Sequence, residues 1–346
     1  MNTVTWPKWT IIMSALLAGS VLACGICMFF GAEPVNFSGI RPISNLLSAV
    51  RGEQLSRDAA ILFELRFPRL VLAGLAGAAL ATAGSGFQGL LRNPLADPFI
   101  LGVSGGGALG AIVAMWLGVD KIGAFPAVPL FAFAGAFATV MAVFSIARTG
   151  GRVPASTLLL AGVVANAFLS ALIMFLVSVG DVGLAYDIVN WMMGTVGYES
   201  YSMILGIAAY VFAGVFVILG LSRDFNLLSL GDDAAYQSGV PVERTKATAF
   251  FAASLVTGAV VSVTGLIGFV GLIVPHITRL IFGPDHRILI PASIFIGAIF
   301  LMACDTLART VIAPSEIPVG VVTALAGGPF FIYLLRRRQS RGFVEA

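Results

Sequence analysis

The sequence predicts an all-α protein that crosses a membrane about ten times, and three observations lead there. Of its 346 residues 58% are apolar and only 11% charged, against roughly 25% charged in soluble domains. A soluble fold of this length could not hide that much apolar surface behind so few charges. The apolar residues also fall into runs of about 20, the length that spans a hydrocarbon core as a helix, with Pro, Gly and charges collected between them. Disorder, collagen and disulfide scaffolds are excluded by the same figures. A net charge of +3 implies no acidic polymer partner, nucleic acid included.

The first span is expected at about 10–30. Cys24 and Cys27 within it have redox-motif spacing but read as small buried residues, and with Cys304 they make no disulfide framework. Val21-Leu22-Ala23-Cys24 resembles a lipoprotein cleavage box, yet is read as part of the span and not of a leader. In the loop 31–67, Ile43, Leu46, Leu47 and Val50 have the spacing of a short helix lying on a membrane surface. Spans follow at about 68–90, 98–118, 124–147, 156–178 and 199–221. Between 90 and 98 the run Asn93-Pro94-Leu95-Ala96-Asp97-Pro98 breaks the helix, since Pro94 and Pro98 cannot continue one and Asn93 and Asp97 favour turns. It reads either as a plain turn or as a constriction at the mouth of a pathway. The loop 222–246 carries Asp224, Asp232, Asp233, Glu243, Arg223, Arg244 and Lys246, a surface that a soluble partner could bind. The last spans are expected at about 246–264, 266–283, 288–308 and 318–335, so 1–346 reads as one transmembrane domain.

Positive charge sets the orientation. Placing both termini in the cytoplasm puts most Lys and Arg inside, with Arg336-Arg337-Arg338 as the firmest marker. Arg41, Arg51, Arg57, Arg66 and Arg69 nevertheless fall outside, a concentration that runs against the rule and invites a functional explanation.

No GxxxxGK[ST] loop occurs, so the chain does not hydrolyse ATP by that route. Gly105, Gly107 and Gly110 fit GxGxxG but open no βαβ unit. Gly102, Gly106 and Gly110, at four-residue spacing, instead let helix backbones approach closely, and Gly265, Gly268 and Gly271 do similar work. His276 and His286 have no Cys or carboxylate array around them, so no metal site and no catalytic residues are expected. The spans hold no carboxylate in mid-span, which counts against an ion-coupled carrier.

Several segments resemble a known family in their order along the chain. They are Arg66-Phe67-Pro68-Arg69, Asn93-Pro94-Leu95-Ala96-Asp97-Pro98, Leu101-Gly102-Val103-Ser104, Leu158-Leu159-Leu160-Ala161-Gly162 and Trp191-Met192-Met193-Gly194. The block from Gly265 to Arg279, then Asp285-His286-Arg287 and the stretch from Glu316 to Thr323, continue the series. From about residue 60 to 335 the sequence resembles the ABC importer permeases for iron-siderophores, haem and vitamin B12. The resemblance implies a homodimer of ten-helix subunits in the bacterial inner membrane, two ATP-binding subunits below and one periplasmic substrate-binding protein above. ATP would be bound by the partner, and no cofactor by this chain.

The resemblance also assigns residues. Arg66, Arg69 and Arg309 match arginines that receive acidic residues of the binding protein, with lipid-headgroup anchoring as the alternative. Leu230, Gly231, Asp232, Ala234, Ala235 and Gly239 match the coupling helix that seats in the ATPase, Gly239 ending it. Asn93, Pro94 and Leu95, with Ala155 and Ser156, match the narrow cytoplasmic end of the pathway, although Pro154-Ala155-Ser156 carries fewer hydroxyls than the B12-importer pattern. The expected function is inward passage of a ferric siderophore or haem by alternating access, with cobalamin as the alternative cargo. A stand-alone secondary carrier would need mid-membrane carboxylates, and an intramembrane enzyme clustered Asp, His or Cys.

Overall fold

Apolar runs in lipid can satisfy their backbone only along the segment, as helix. The computed structural model describes residues 6–31, 33–36, 39–123 and 125–342 and is built almost wholly that way. In chain order come α1 (Trp6–Phe29), α2 (Pro42–Arg51), α3 (Arg57–Ala60), a π-turn (Ile61–Arg66), α4 (Phe67–Leu91), a 3-10 turn (Pro98–Leu101) and α5 (Val103–Trp116). A two-residue hairpin, Lys121–Ile122 with Phe125–Pro126, leads to α6 (Ala127–Ala147), α7 (Ala155–Val179), α8 (Val182–Met192) and α9 (Tyr201–Gly220). The chain ends with α10 (Ser222–Leu228), α11 (Asp232–Gln237), α12 (Val242–Thr264), α13 (Val270–Phe282), α14 (His286–Thr310) and α15 (Val319–Gly342).

Among the described residues seven helical segments are long and apolar enough to cross a membrane: α1, the continuous 57–91 helix, α6, α7, α9, α12 and α14. Three shorter apolar stretches, Val103–Trp116, Val270–Phe282 and Val319–Leu334, stand where further spans were expected. The side chains of Arg337 and Arg338, part of the expected inside marker, lie outside the described residues.

At the centre, α4 packs against α12, α13 and α14, and small residues set how close the helices come. A Cβ on Gly77 would overlap the carbonyl of Gly297, and one on Gly84 would overlap the carbonyl of Gly271. On the neighbouring pair α5 and α6, Gly106 and Gly110 abut the backbone at Gly135 and Phe131. The four-residue glycine spacing is therefore a packing surface.

Two differences from the sequence expectation have clear causes. The span expected from 68 begins at Arg57 and runs unbroken to Leu91, because the guanidinium groups of Arg66 and Arg69 find internal partners and need not end the helix at water. Residues 182–192, expected as loop, form α8. Asp181 caps it by accepting from the Leu184 N–H at 2.8 Å, and Ile188 is buried beside Ile112 and Ile173. The helix expected in the 31–67 loop is present as α2. Its Ile43, Leu47 and Val50 are exposed along one side, as an interfacial helix requires, while Leu46 packs inward near Leu62 and Phe63.

Candidate functional site: two ion clusters and a backbone junction

The first cluster lies where the N-terminal turns of α4 meet the C-terminal turns of α14. Arg66, Arg69 and Arg309, expected to receive a partner's acidic residues, are each no more than 5% exposed. Arg69 is held by two carboxylates: its Nε and Nη2 reach Asp305 Oδ1 at 3.0 and 2.9 Å, and its Nη1 donates to Glu316 at 2.9 Å. Its guanidinium also lies 5.2 Å from the centre of the Tyr198 ring. Arg309 donates from Nη2 to the Cys27 carbonyl at 2.8 Å, with Nε 3.8 Å from Asp305 Oδ2. Arg66 donates to the carbonyls of Met28 and Glu33. Asp305 is fully buried, whereas the Glu316 side chain is 42% exposed. Arg69 and Arg309 thus share the buried Asp305, Arg66 lies beside them on backbone carbonyls, and the half-exposed Glu316 sits at the rim of the cluster.

Asp305 was missed by the sequence reading, since it lies near the end of the expected span 288–308. The available signal was its spacing to Arg309, an acid and a base four residues apart within an apolar helix.

The second cluster is at the other end of α4. That helix ends at Leu91 with Arg92 in the left-handed region at φ 51°, uncommon for a residue with a side chain. Asn93 Oδ1 then accepts the Leu95 N–H at 2.9 Å, an Asx turn that holds Asn93, Pro94 and Leu95 together and leaves Leu95 43% exposed. Asp97 caps the 3-10 turn by accepting from the Phe99 N–H at 2.7 Å. Burial pushes its carboxyl up to about 6, partly offset by that N–H. Of the second pair of expected gate residues, Ala155 opens α7 half-buried and Ser156 is exposed.

The expected coupling segment folds as a single short helix, α11, starting at Asp232. Gly239 ends it at φ 83°; the Val240 N–H returns to the Ala235 carbonyl at 3.0 Å and the Gly239 N–H to Tyr236 at 3.0 Å. Ala235 faces the core, while Leu230 and Tyr236 are exposed. Asp232 accepts from Lys246 Nζ at 2.6 Å and pairs with Arg92 Nη2 at 3.2 Å. The residue before Lys246, Thr245, donates to Asp224 at 3.2 Å. On α10, Asn226 donates to Asp285 at 2.7 Å and accepts the His286 backbone N–H at 3.0 Å, fixing the start of α14.

Several segments carrying the family resemblance meet as backbone. Thr195 N–H donates to the Thr264 carbonyl at 2.8 Å and Gly320 N–H to the Gly194 carbonyl at 3.1 Å. A Cβ on Gly265 would overlap the Trp191 carbonyl, and one on Gly320 that of Met193. Behind α13, Arg279 donates to Gln88 at 3.1 Å, and Gln88 donates to the Gly271 carbonyl at 3.3 Å.

Among the described residues no group of His, Cys, Asp or Glu is placed to hold a metal. Residues 21–337 match the family model described as the FecCD transport family. The chain is 46% identical to the cobalamin import system permease protein BtuC of Halobacterium salinarum over 80% of this chain and 73% of that one. It is 40% identical to the hemin transport system permease protein HmuU of Yersinia pestis, over 81% and 85%. A solved structure described as an inward-facing conformation of a putative metal-chelate type ABC transporter superposes with a TM-score of 0.80 at 28% identity, covering 95% of this chain and 99% of that one. A glycine-packed bundle of apolar helices, motif segments joined through backbone and a match over nearly the whole chain agree: this multi-pass inner-membrane protein belongs to the FecCD transport family.

Proposed function

We propose that the chain is one of two identical permease subunits of an ATP-driven importer that passes a bulky metal chelate, a ferric siderophore or haem, from periplasm to cytoplasm. The observation that carries the reading is the family match over residues 21–337. In this reading both termini are cytoplasmic, ten helices cross the membrane, and the Lys246 end of α4 faces inward. The exposed Leu230, just before α11, and Tyr236 of α11 seat in a separate ATPase subunit, which supplies the energy. Asn93, Pro94 and Leu95, with Ala155 and Ser156, narrow the inner end of the path in the dimer. Cobalamin is the second reading, favoured by the 46% identity to a permease named for it.

A substrate-binding protein docks at the arginine end. Arg66, Arg69 and Arg309 supply positive potential, but they are already engaged. An acidic group of the partner therefore enters by displacing the half-exposed Glu316 from Arg69. The deciding experiment reconstitutes the permease with a partner ATPase and binding protein and measures ATP-dependent uptake of haem, ferric hydroxamates and cobalamin. Uptake of a ferric siderophore or haem supports the leading reading, uptake of cobalamin alone replaces it with the second, and uptake of none overturns both.

A further inference from the structure

The Lys246 cluster touches three segments at once. Asp232 belongs to α11, Arg92 directly precedes Asn93, and Glu243, on α12 with Lys246, accepts the Val153 N–H at 2.8 Å, two residues before Ala155. Lys246 Nζ is 2.6 Å from Asp232 and 3.8 Å from Glu243, and its side chain is only 5% exposed. The same lysine borders a hollow lined by Leu91, Val153 and Ala155, so it sits between the two stretches expected to form the gate. Two cations and two carboxylates balance, which is how a lysine can remain buried and charged.

We infer that Lys246, with Asp232, Arg92 and Glu243, is the link that makes both gate segments follow the coupling helix. The inference rests on the coupling and gate assignments of the proposed function and adds the residues that join them. When α11 shifts, Asp232 leaves Lys246 and Arg92 together. The left-handed turn at Arg92 then loses its brace, and the chain through Asn93, Pro94 and Leu95 is released. Lys246, still desolvated, draws on Glu243, whose other oxygen holds the Val153 N–H; the approach to Ala155 and Ser156 moves in the same event. A buried cation cannot give up a carboxylate at no cost, so the two segments respond together. These four are positioning residues and touch no cargo.

The test is a set of spin-label distances in the full permease in nanodiscs, with Cys24, Cys27 and Cys304 replaced by Ala. Labels are placed at Tyr236→Cys and Leu95→Cys, and separately at Tyr236→Cys and Ser156→Cys. Lys246→Met is expected to broaden both distance distributions. Arg92→Gly suits the left-handed backbone and so should keep the turn and the fold; it is expected to broaden only the Leu95 distance, and Arg92→Lys to restore it. Glu243→Gln is expected to broaden only the Ser156 distance. In the complex with its ATPase, Arg92→Gly is expected to lower transport per ATP about tenfold with hydrolysis retained. Distributions that stay as in wild type, or that broaden alike in every variant, overturn the linkage. If Lys246→Met fails to fold, the contrast between Arg92→Gly and Arg92→Lys decides alone. No cargo is present in the distance measurement, so a wrong cargo assignment leaves its outcome untouched, and a gate located elsewhere would show as a normal transport ratio beside a broadened Leu95 distance, which overturns the linkage as a transport device.

Discussion

The two ends of α4 carry ion clusters of nearly the same composition and opposite mechanical character. At Arg69 the anchoring carboxylate, Asp305, is fully buried and joins two long helices. At Lys246 the cation is buried, but the bridging carboxylate, Asp232, is 38% exposed and belongs to a six-residue helix held at its start by these pairs. Breaking the first leaves Arg69 and Asp305 both stranded in the core; breaking the second lets Asp232 turn to water while buried Lys246 keeps Glu243 as a partner. Placement of the solvent-facing partner, more than the number of ion pairs, separates a clamp from a latch.

The largest effect that can break this contrast is expected from Asp305→Asn. Removing the buried partner of Arg69 and Arg309 should destabilise the permease by about 3–5 kcal/mol, read as a large drop in the melting temperature of the purified protein. A melting temperature within a degree or two of wild type would show that the arginine end is no clamp.

A pH series tests the other end. Asp97 titrates near 6 in the folded chain against 3.8 for a free carboxyl, so the folded state holds its proton more tightly than the unfolded one. Its contribution is therefore most favourable below the unfolded value and is lost as pH rises toward about 6. Asp97→Asn keeps an acceptor for the Phe99 N–H. The melting-temperature advantage of this variant over wild type should grow between about pH 4 and 6 and then stay level. A difference independent of pH would mean that Asp97 is not buried as described.

Gly239→Ala should cost about 1 kcal/mol, because φ 83° strains any side chain. No atom lies within 4 Å of the added Cβ, so crowding adds nothing. Chemical denaturation would measure it, and a stabilising outcome would mean that α11 does not end in this turn.

The smallest effect sharpens the clamp itself. Glu316→Gln removes the displaceable carboxylate from Arg69 while Asp305 remains, so stability should change by less than about 1 kcal/mol. Association with the binding protein should strengthen several-fold at low salt and lose that gain as salt rises. Weaker association would place Glu316 among the groups the partner needs.

Much of the architecture could be read from the sequence because its determinants are local. Run length placed the long helices, Pro94 with Asn93 marked the end of α4, and Gly239 marked the end of α11. The four-residue glycine rows announced the α5–α6 contact. The charged residues were harder, because rules that send charge to span ends assume water as the partner. Arg69 instead meets Asp305, 236 positions away, and so the helix runs on past the expected boundary. Lys246 reads as the cytoplasmic edge of a span, and nothing near it shows that it is buried between two other segments. Residues 182–192 escaped for a different reason: eleven residues are too few for a span, and Ile188 finds its cover on distant helices.

One consequence follows from the unbroken course of α4. From Arg69 to Arg92 is a rise of about 34 Å at 1.5 Å per residue, close to the thickness of a hydrocarbon core. Both clusters are thus bolted to the ends of a single rod, gripped near its middle where Gly77 and Gly84 touch the backbones of α14 and α13. A tilt of about 5° about that fulcrum swings each end by about 1.5 Å in opposite senses, on the scale at which an ion pair near 3 Å loses its geometry. A push on one side of the bilayer reaches the other as leverage, with no loop in between to absorb it.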